Sequence, residues 1–169
     1  MASPARKELN QWLKQIHVEA DKVLDIGGLT NQASAEVGSI KSNEYKILDI
    51  RYTDRHGKLA DYVLDLNTEC SKMDFDVAFC IEVMPFVWDP VTVMKNISGF
   101  LKPNGILYIT FHQIFIHVKS NDYLRYTRMG VEKLMEVSNL KIDNIEPRLY
   151  RNGEIRDGEV GHFVKAIKI

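Results

Sequence analysis

The first part of the chain has the polar and apolar pattern of an amphipathic helix. Apolar residues recur at the i, i+3, i+4, i+7 spacing of one helical face, at Leu9, Trp12, Leu13 and Ile16. Ser3-Pro4 supplies a cap and a first-turn proline just before this stripe. The pattern predicts an N-terminal helix with one face packed against the rest of the protein.

Five short apolar runs follow, and several of them are continuous rather than alternating. They are KVLDI (22–26), YKILDI (45–50), DYVLDL (61–66), FDVAFCI (75–81) and GILYITF (105–111). Continuous apolar runs of this length are typical of strands that are covered on both faces, as in a parallel sheet.

Two helical stripes are interspersed with the strands. The first begins at Asp89-Pro90, a cap and first helical residue, and its apolar positions are Val91, Met94, Ile97 and Leu101. The second follows Thr127 as its cap, at Val131, Leu134, Met135 and Ser138. The first stripe therefore predicts a strand-helix-strand unit.

The end of the chain is predicted to form a hairpin. LKIDNIEPR (140–148) alternates like a strand, Asn152-Gly153 is a turn signal, and HFVKAIKI (162–169) is a candidate final strand. Strands that alternate with helices predict a doubly wound, mostly parallel sheet of seven strands with helices on both faces. The hairpin then forms an antiparallel C-terminal edge.

Composition narrows the functional classes. The formal net charge of −1 is spread along the chain without a basic block, so no nucleic-acid partner is expected. No apolar run approaches the ~20 residues of a membrane span, so we expect no membrane partner and a cytoplasmic protein. Cys70 and Cys80 lack the spacing of a metal site or a disulfide framework, so no metal is predicted.

Carboxylates stand at the ends of three successive predicted strands. Asp25 precedes the Gly27-Gly28 pair, Asp49 ends the second strand, and Asp65 ends the third. In a doubly wound sheet, ligands bind at the carboxyl ends of the strands, and an acidic residue after the second strand suits ribose hydroxyls. The rim is suited to a cationic or hydroxyl-rich ligand and poorly suited to a pyrophosphate.

These segments resemble a known family. VLDIGG (23–28), ILDI (47–50), VLDLN (63–67) and FDVAFCIEVMPFVWDPVTVMKNISGFLKPNGILYIT (75–110) are similar to the successive motifs of class I S-adenosylmethionine-dependent methyltransferases that act on small molecules. The resemblance implies a single methyltransferase-like domain over residues 1–169. Within it, residues 1–20 would form the N-terminal helix, 21–111 the cofactor-binding half, and 112–169 the substrate-side loop, helix and terminal hairpin.

The resemblance also implies which residues bind the cofactor, S-adenosylmethionine. Asp25, Gly27 and Gly28 would line its methionine end. Asp49 would bind the ribose hydroxyls, and Asp65 would lie near the adenine amine. A sulfonium cation surrounded by carboxylates is electrostatically favourable, in agreement with the reading of the strand ends.

A second set of residues is expected near the reacting groups. The resemblance places Glu82, after the fourth strand, among the cofactor-binding residues, near the sulfonium and the acceptor. His112 follows the fifth strand and is the candidate catalytic base. His117, Tyr123 and Arg125 lie in the next loop and are candidates for the substrate side.

The chain departs from the family pattern at the glycine-rich turn and after the fourth strand. Relatives usually have glycine where this chain has Leu29 and often where it has Asn31, and they commonly have Glu-His where it has Pro85-Phe86. We expect Leu29 to point into the space between the first strand and the following helix, leaving Gly27-Gly28 to face the ligand. The short N-terminal segment leaves the pocket either open or completed by a second subunit of a homo-oligomer.

Three functions remain open at this point. The first is methyl transfer to a small-molecule or saccharide-type acceptor. The second is a catalytically inactive, methyltransferase-like binding or assembly subunit, which Leu29 and Pro85-Phe86 favour and the retained carboxylates disfavour. The third is a nicotinamide-dependent enzyme, but Ile-Gly-Gly-Leu-Thr-Asn lacks the Gly-x-Gly-x-x-Gly run that approaches a pyrophosphate.

Overall fold

A computed structural model of the chain describes residues 4–29, 33–114, 121–152 and 155–169. Its helices and strands follow one another as α1 (Pro4–Lys14), β1 (His17–Ile26), β2 (Ser39–Asp49), β3 (Tyr62–Val63), β4 (Phe75–Cys80), α2 (Pro90–Phe100), β5 (Leu101–His112), α3 (Arg128–Val137), β6 (Leu140–Asn152) and β7 (Ile155–Lys168). Two 3₁₀ turns, Ala33–Ala35 and Met84–Phe86, follow β1 and β4.

The strands form one seven-stranded sheet in the order β3-β2-β1-β4-β5-β7-β6. The first five strands of this order pair in parallel, and β7 lies antiparallel between β5 and β6. The predicted sheet is confirmed, and residues 162–168 of the predicted final strand lie in β7. The order reverses between β1 and β4, which creates a crevice at the carboxyl ends of the strands.

Helices cover both faces of the sheet, as predicted. The four residues of the N-terminal stripe are buried on one face with side chains of β1, β4 and β7, and the Trp12 ring stacks on Phe163 with their centroids 4.9 Å apart. Met94 and Ile97 of α2 and Val131 of α3 are fully buried on the opposite face. Each helix therefore contributes one apolar face to a layer of the core.

The predicted caps of α2 and α3 are present. The Asp89 side chain accepts a hydrogen bond from the N–H of Thr92, and the Thr127 hydroxyl accepts one from the N–H of Gly130. Such bonds satisfy amide groups that have no partner within the helix. Ser3, Asn31 and Gly153, which were predicted at a cap and at turns, lie outside the described residues.

The connection after β1 differs from the prediction. Its described residues, 27–29 and 33–38, contain a 3₁₀ turn instead of the expected α-helix. Residues 27–38 also hold three glycines, and so short a segment leaves little room for a helix between two parallel strands. The third strand is likewise shorter than predicted, and just before it the Asp61 carboxylate accepts from the Ile47 N–H.

Candidate active site

A cavity of about 400 Å³ opens at the carboxyl ends of β1 to β4. Its polar lining consists of Asp49, Arg51, Asp65, Asn67, Glu82 and Asn121. Apolar side chains such as Ile81, Val83 and Phe86 complete the wall. Both the size and the position at the reversal of strand order are those of small-ligand sites in open α/β sheets.

Gly27 forms a part of the wall where a side chain does not fit. Its φ of +77° lies in the left-handed region, and a Cβ there would come within 2.5 Å of Val83 Cγ2. The Gly27 N–H donates to the carbonyl of Leu48 at 2.7 Å, which ties the turn to β2. The backbone of the turn therefore borders the cavity directly.

Asp25, in β1, and Gly28, in the turn, are not part of the described cavity lining. One carboxylate oxygen of Asp25, Oδ2, accepts from the N–H of Ala33 at 2.8 Å and from the hydroxyl of Tyr45 at 2.5 Å. A Cβ on Gly28 would lie 2.5 Å from this carboxylate, so Gly28 makes room for Asp25. Burial raises the pKa of Asp25 to about 6, although both hydrogen bonds oppose the increase.

Leu29 points away from the cavity wall. It is 3% exposed and packs with Ile47 and Ala60, beside Tyr45. The predicted direction of the side chain agrees with this placement. The neighbours differ from those expected, because Leu29 packs against Ile47 of β2 and Ala60 and not against a following helix.

Asp49 and Asp65 both line the cavity and are held by local hydrogen bonds. Asp49 Oδ1 accepts from the N–H and Nε of Arg51 at 3.0 and 3.3 Å, and its side chain is nearly buried. Asp65 Oδ1 accepts from the N–H and Nδ2 of Asn67 at 3.0 and 2.8 Å. Each carboxylate is therefore oriented by the residue two positions later, while remaining at the wall.

Glu82 is the most constrained carboxylate of the wall. Its φ of 62° is uncommon for a residue with a side chain, and such a backbone persists where neighbours fix it. Its N–H donates to the Thr110 hydroxyl at 2.8 Å, and that hydroxyl lies 3.1 Å from Oε1. Arg148 Nη1 donates to Oε1 at 2.7 Å, and His112 Nε2 lies 3.2 Å from Oε2.

The charge state of Glu82 is set by these neighbours. Burial by itself would raise the pKa of Glu82, but the contact with His112 and the positive charge of Arg148 outweigh burial. Together they lower the pKa to about 2. A carboxylate that stays ionised is thus presented at the cavity wall.

His112 ends β5 and touches Glu82, but it is not part of the described cavity lining. Its Nε2 lies 2.8 Å from Arg148 Nη1, and because a guanidinium can only donate, Nε2 accepts this bond. The contact with Glu82, which lowers the pKa of that carboxylate, needs a hydrogen on the same nitrogen, so each tautomer of His112 makes only one of the two bonds. The lone pair that a general base would use is therefore engaged, and the role of His112 as the base stays a prediction.

Two of the predicted substrate-side residues, Tyr123 and Arg125, are not part of the described cavity lining. Tyr123 is exposed, and its N–H donates to the carbonyl of Pro85 at 2.7 Å. Arg125 forms an ion pair with Asp122, with 2.7 Å between Nη2 and Oδ2. His117 lies outside the described residues. The described part of this loop packs on the Met84–Phe86 turn.

Arg148 and Asn67 are among the residues of the site that were not singled out from the sequence. Arg148 was missed because a single arginine in an alternating strand carries no distinctive signal. Asn67 lines the cavity, and its Oδ1 accepts from the N–H groups of Trp88 and Asp89 at 3.0 and 3.1 Å. Its position after the Asp65 carboxylate was visible, but its bonds to the start of α2 were not.

The described residues hold no group of three or more histidine, cysteine, aspartate or glutamate side chains that could bind a metal ion.

Among the helices in the described ranges, none combines the length and apolar character that crossing a membrane requires.

Residues 24–109, just over half of the chain, match the family described as a methyltransferase domain. The chain belongs to the class I S-adenosylmethionine-dependent methyltransferases. The resemblance seen in the strand-end motifs is thereby confirmed, and S-adenosylmethionine is the cofactor of this family.

Curated relatives of this methyltransferase include ubiquinone biosynthesis O-methyltransferases. That of Haemophilus ducreyi is 31% identical over 104 residues, which cover 53% of this chain and 44% of the relative. That of Coxiella burnetii is 29% identical over 133 residues, covering 70% of this chain and 53% of the relative. The chain spans about half the length of the curated relatives it matches.

A solved structure shows the same fold. The 1,6-didemethyltoxoflavin-N1-methyltransferase of Burkholderia thailandensis, solved with its 1,6-didemethyltoxoflavin and S-adenosylhomocysteine, superimposes with a TM-score of 0.69 at 14% identity. The superposition covers 98% of this chain and 78% of that one.

Proposed function

We propose that this chain transfers a methyl group from S-adenosylmethionine to a small-molecule or saccharide-type acceptor, as a single domain over residues 1–169. The observation that carries the proposal is the set of three carboxylates, Asp49, Asp65 and Glu82, on one cavity wall at successive strand ends. No apolar core requires them there, and their common feature is that they face the cavity.

The lining fits the chemical groups of the cofactor. Asp49, at the end of β2, would accept hydrogen bonds from the ribose hydroxyls, and Asp65 would accept from the adenine amine. Glu82 would lie near the positive sulfur, where an ionised carboxylate is favourable. Gly27 would let the backbone approach the methionine end, where a side chain would meet Val83.

For the reaction, the chain mainly has to bind and align. The cofactor supplies a methyl group that its sulfonium already activates, so an in-line approach of the acceptor atom accounts for much of the catalysis. The wall formed by Val83, Phe86 and Val87 would exclude water from the reacting groups. An acceptor hydroxyl would in addition need a base, for which His112 remains the candidate despite its bond to Arg148.

The acceptor is proposed to be small and partly apolar. The relatives named ubiquinone biosynthesis O-methyltransferase favour a hydroxyl acceptor. Phe86 lines the cavity where relatives commonly have a polar residue, and the nearby Trp88 is exposed. An aromatic alcohol would suit such a mouth better than a strongly hydrated ligand.

The second candidate is a subunit that binds the cofactor without turnover. The 3₁₀ turn that replaces a helix after β1 and the engaged lone pair of His112 favour this alternative. Both candidates predict cofactor binding, so only turnover separates them. Formation of S-adenosylhomocysteine should be measured with phenols, sugars and amines as acceptors, and its absence with all of them would support the binding subunit.

Calorimetric titration with S-adenosylhomocysteine tests the site that both candidates share. Asp49→Ala removes charge-assisted hydrogen bonds to the ribose, so affinity should fall at least about tenfold. Asp143→Ala, a matched change on β6 at a carboxylate that pairs with Lys165, should leave affinity unchanged. If wild type does not bind, the proposed function is wrong; if a folded Asp49→Ala variant binds as wild type does, Asp49 is not part of the site.

A further inference from the structure

Arg148 is the largest fully buried side chain described and carries a charge into the interior. It is 2% exposed, and its Nη1 lies 2.7 Å from Glu82 Oε1 and 2.8 Å from His112 Nε2. Its guanidinium carbon lies 5.7 Å from the centroid of the Phe163 ring, within the range of a cation–π contact. Removing an arginine from water is costly, so these partners need to compensate for its burial.

Glu82 differs from Arg148 because it reaches the ligand side. Its side chain is 20% exposed and forms part of the cavity wall. In this ion pair Arg148, on β6, is therefore buried, whereas Glu82 is accessible to a ligand in the cavity. Thr110 fixes the same carboxylate oxygen from β5, so the direction of the carboxylate is determined from two strands.

We propose that Arg148 is a positioning residue, which keeps the Glu82 carboxylate ionised and fixed at the cavity wall so that it meets the sulfonium of S-adenosylmethionine. This inference rests on the proposed function, since it assigns the sulfonium to the end of the cavity that Glu82 borders. Arg148 acts through Glu82 and does not itself touch the ligand.

The alternative is that the ion pair only stabilises the fold. The two possibilities differ in whether Arg148 controls the charge of Glu82. Among the described residues, the charged or titratable groups that act most strongly on Glu82 are His112 on β5 and Arg148 on β6. Without the guanidinium, His112 would oppose burial without the help of Arg148, so the pKa of Glu82 should rise. Loss of Arg148 should then remove the negative charge from the wall as pH falls.

The preference for S-adenosylmethionine over S-adenosylhomocysteine reports this charge, because the two ligands differ in one methyl group and one positive charge. In wild type, the dissociation constant of S-adenosylhomocysteine divided by that of S-adenosylmethionine should stay constant between about pH 5.5 and about pH 8. In Arg148→Met, the ratio should fall by about threefold or more toward the low-pH end, approaching the value of Glu82→Gln. A loss of packing alone would weaken both ligands equally and leave the ratio unchanged.

A measurement without ligand makes the inference independent of binding. In protein labelled with ¹³C at glutamate side chains, the Glu82 carboxyl signal should not titrate between about pH 4 and about pH 8 in wild type. It should titrate within that range in Arg148→Met. Arg128→Met, the same change at an exposed arginine paired with Glu132, is the matched control and should leave both readouts unchanged.

The outcomes separate the two proposals. If wild type binds neither ligand, the proposed function is wrong, and the titration of Glu82 alone then decides whether Arg148 controls its charge. If Arg148→Met leaves both the ratio and the titration as in wild type, the inference about Arg148 is overturned. Should Arg148→Met not fold, wild-type Glu82 that titrates above pH 4, or a Glu82→Gln variant with unchanged ligand preference, would overturn it equally.

Discussion

The buried carboxylate of Asp25 should destabilise the protein when it is ionised. Burial raises its pKa from 3.8 to about 6, so folding disfavours the charged form. Stability is therefore lost as pH rises from about 4 through about 6, and the full cost is about 3 kcal/mol. Asp25→Asn removes the charge while keeping an oxygen that can accept from Ala33 and Tyr45.

The expected result is a stabilising substitution whose benefit depends on pH. Linkage between the two pKa values gives an advantage of Asp25→Asn over wild type that grows by about 2 kcal/mol between about pH 4.5 and about pH 8. Urea-induced unfolding followed by circular dichroism at both pH values measures this difference directly. Asp21→Asn, the same change at an exposed position of β1, should have a small effect that is equal at both pH values.

One result would refute this reasoning. If Asp25→Asn is destabilised to the same extent at both pH values, the bonds from Tyr45 and Ala33 offset the effect of burial on the pKa of Asp25. Asp25 would then be a charged anchor of the glycine turn, and its raised pKa would be wrong.

Two further substitutions test the turn and the start of α2. Leu29→Gly should cost about 2–3 kcal/mol of unfolding free energy, because it removes the side chain that packs with Ile47 and Ala60. The substitution should not improve affinity for S-adenosylhomocysteine. A gain in affinity would mean that Leu29 blocks the ligand. Asp89→Ala should cost about 0.5–2 kcal/mol in urea unfolding, because it leaves the N–H of Thr92 without its cap; unchanged stability would show that the cap contributes nothing measurable.

The cavity-lining carboxylates could be predicted because local pattern and topology agree. Apolar runs that end in Asp49, Asp65 and the Ile81-Glu82 pair fix the positions of these residues at the strand ends, and a parallel sheet brings such ends together. Gly27 follows from the same argument, because the turn after β1 borders the crevice.

Other parts of the site depend on tertiary details that the pattern does not contain. That Gly28 faces the ligand stays a prediction, but the need for its missing side chain to make room for the Asp25 carboxylate could not be seen in the sequence. Arg148 was not anticipated because β6 has an irregularity between Ile142 and Asn144, which shifts the alternation and hides which face Arg148 occupies. Which atom of His112 is engaged likewise follows only from the position of Arg148.

The strand order also constrains the sequence of events by which the site forms. Because β7 lies between β5 and β6, the strand that carries Arg148 reaches the sheet only through β7. The hairpin of β6 and β7 has local contacts, whereas its docking on β5 pairs residues far apart in the sequence, such as His112 and Gly161. Until that step, Glu82 lacks its guanidinium partner. A chain whose hairpin has not docked on β5 would therefore present a cavity of different charge.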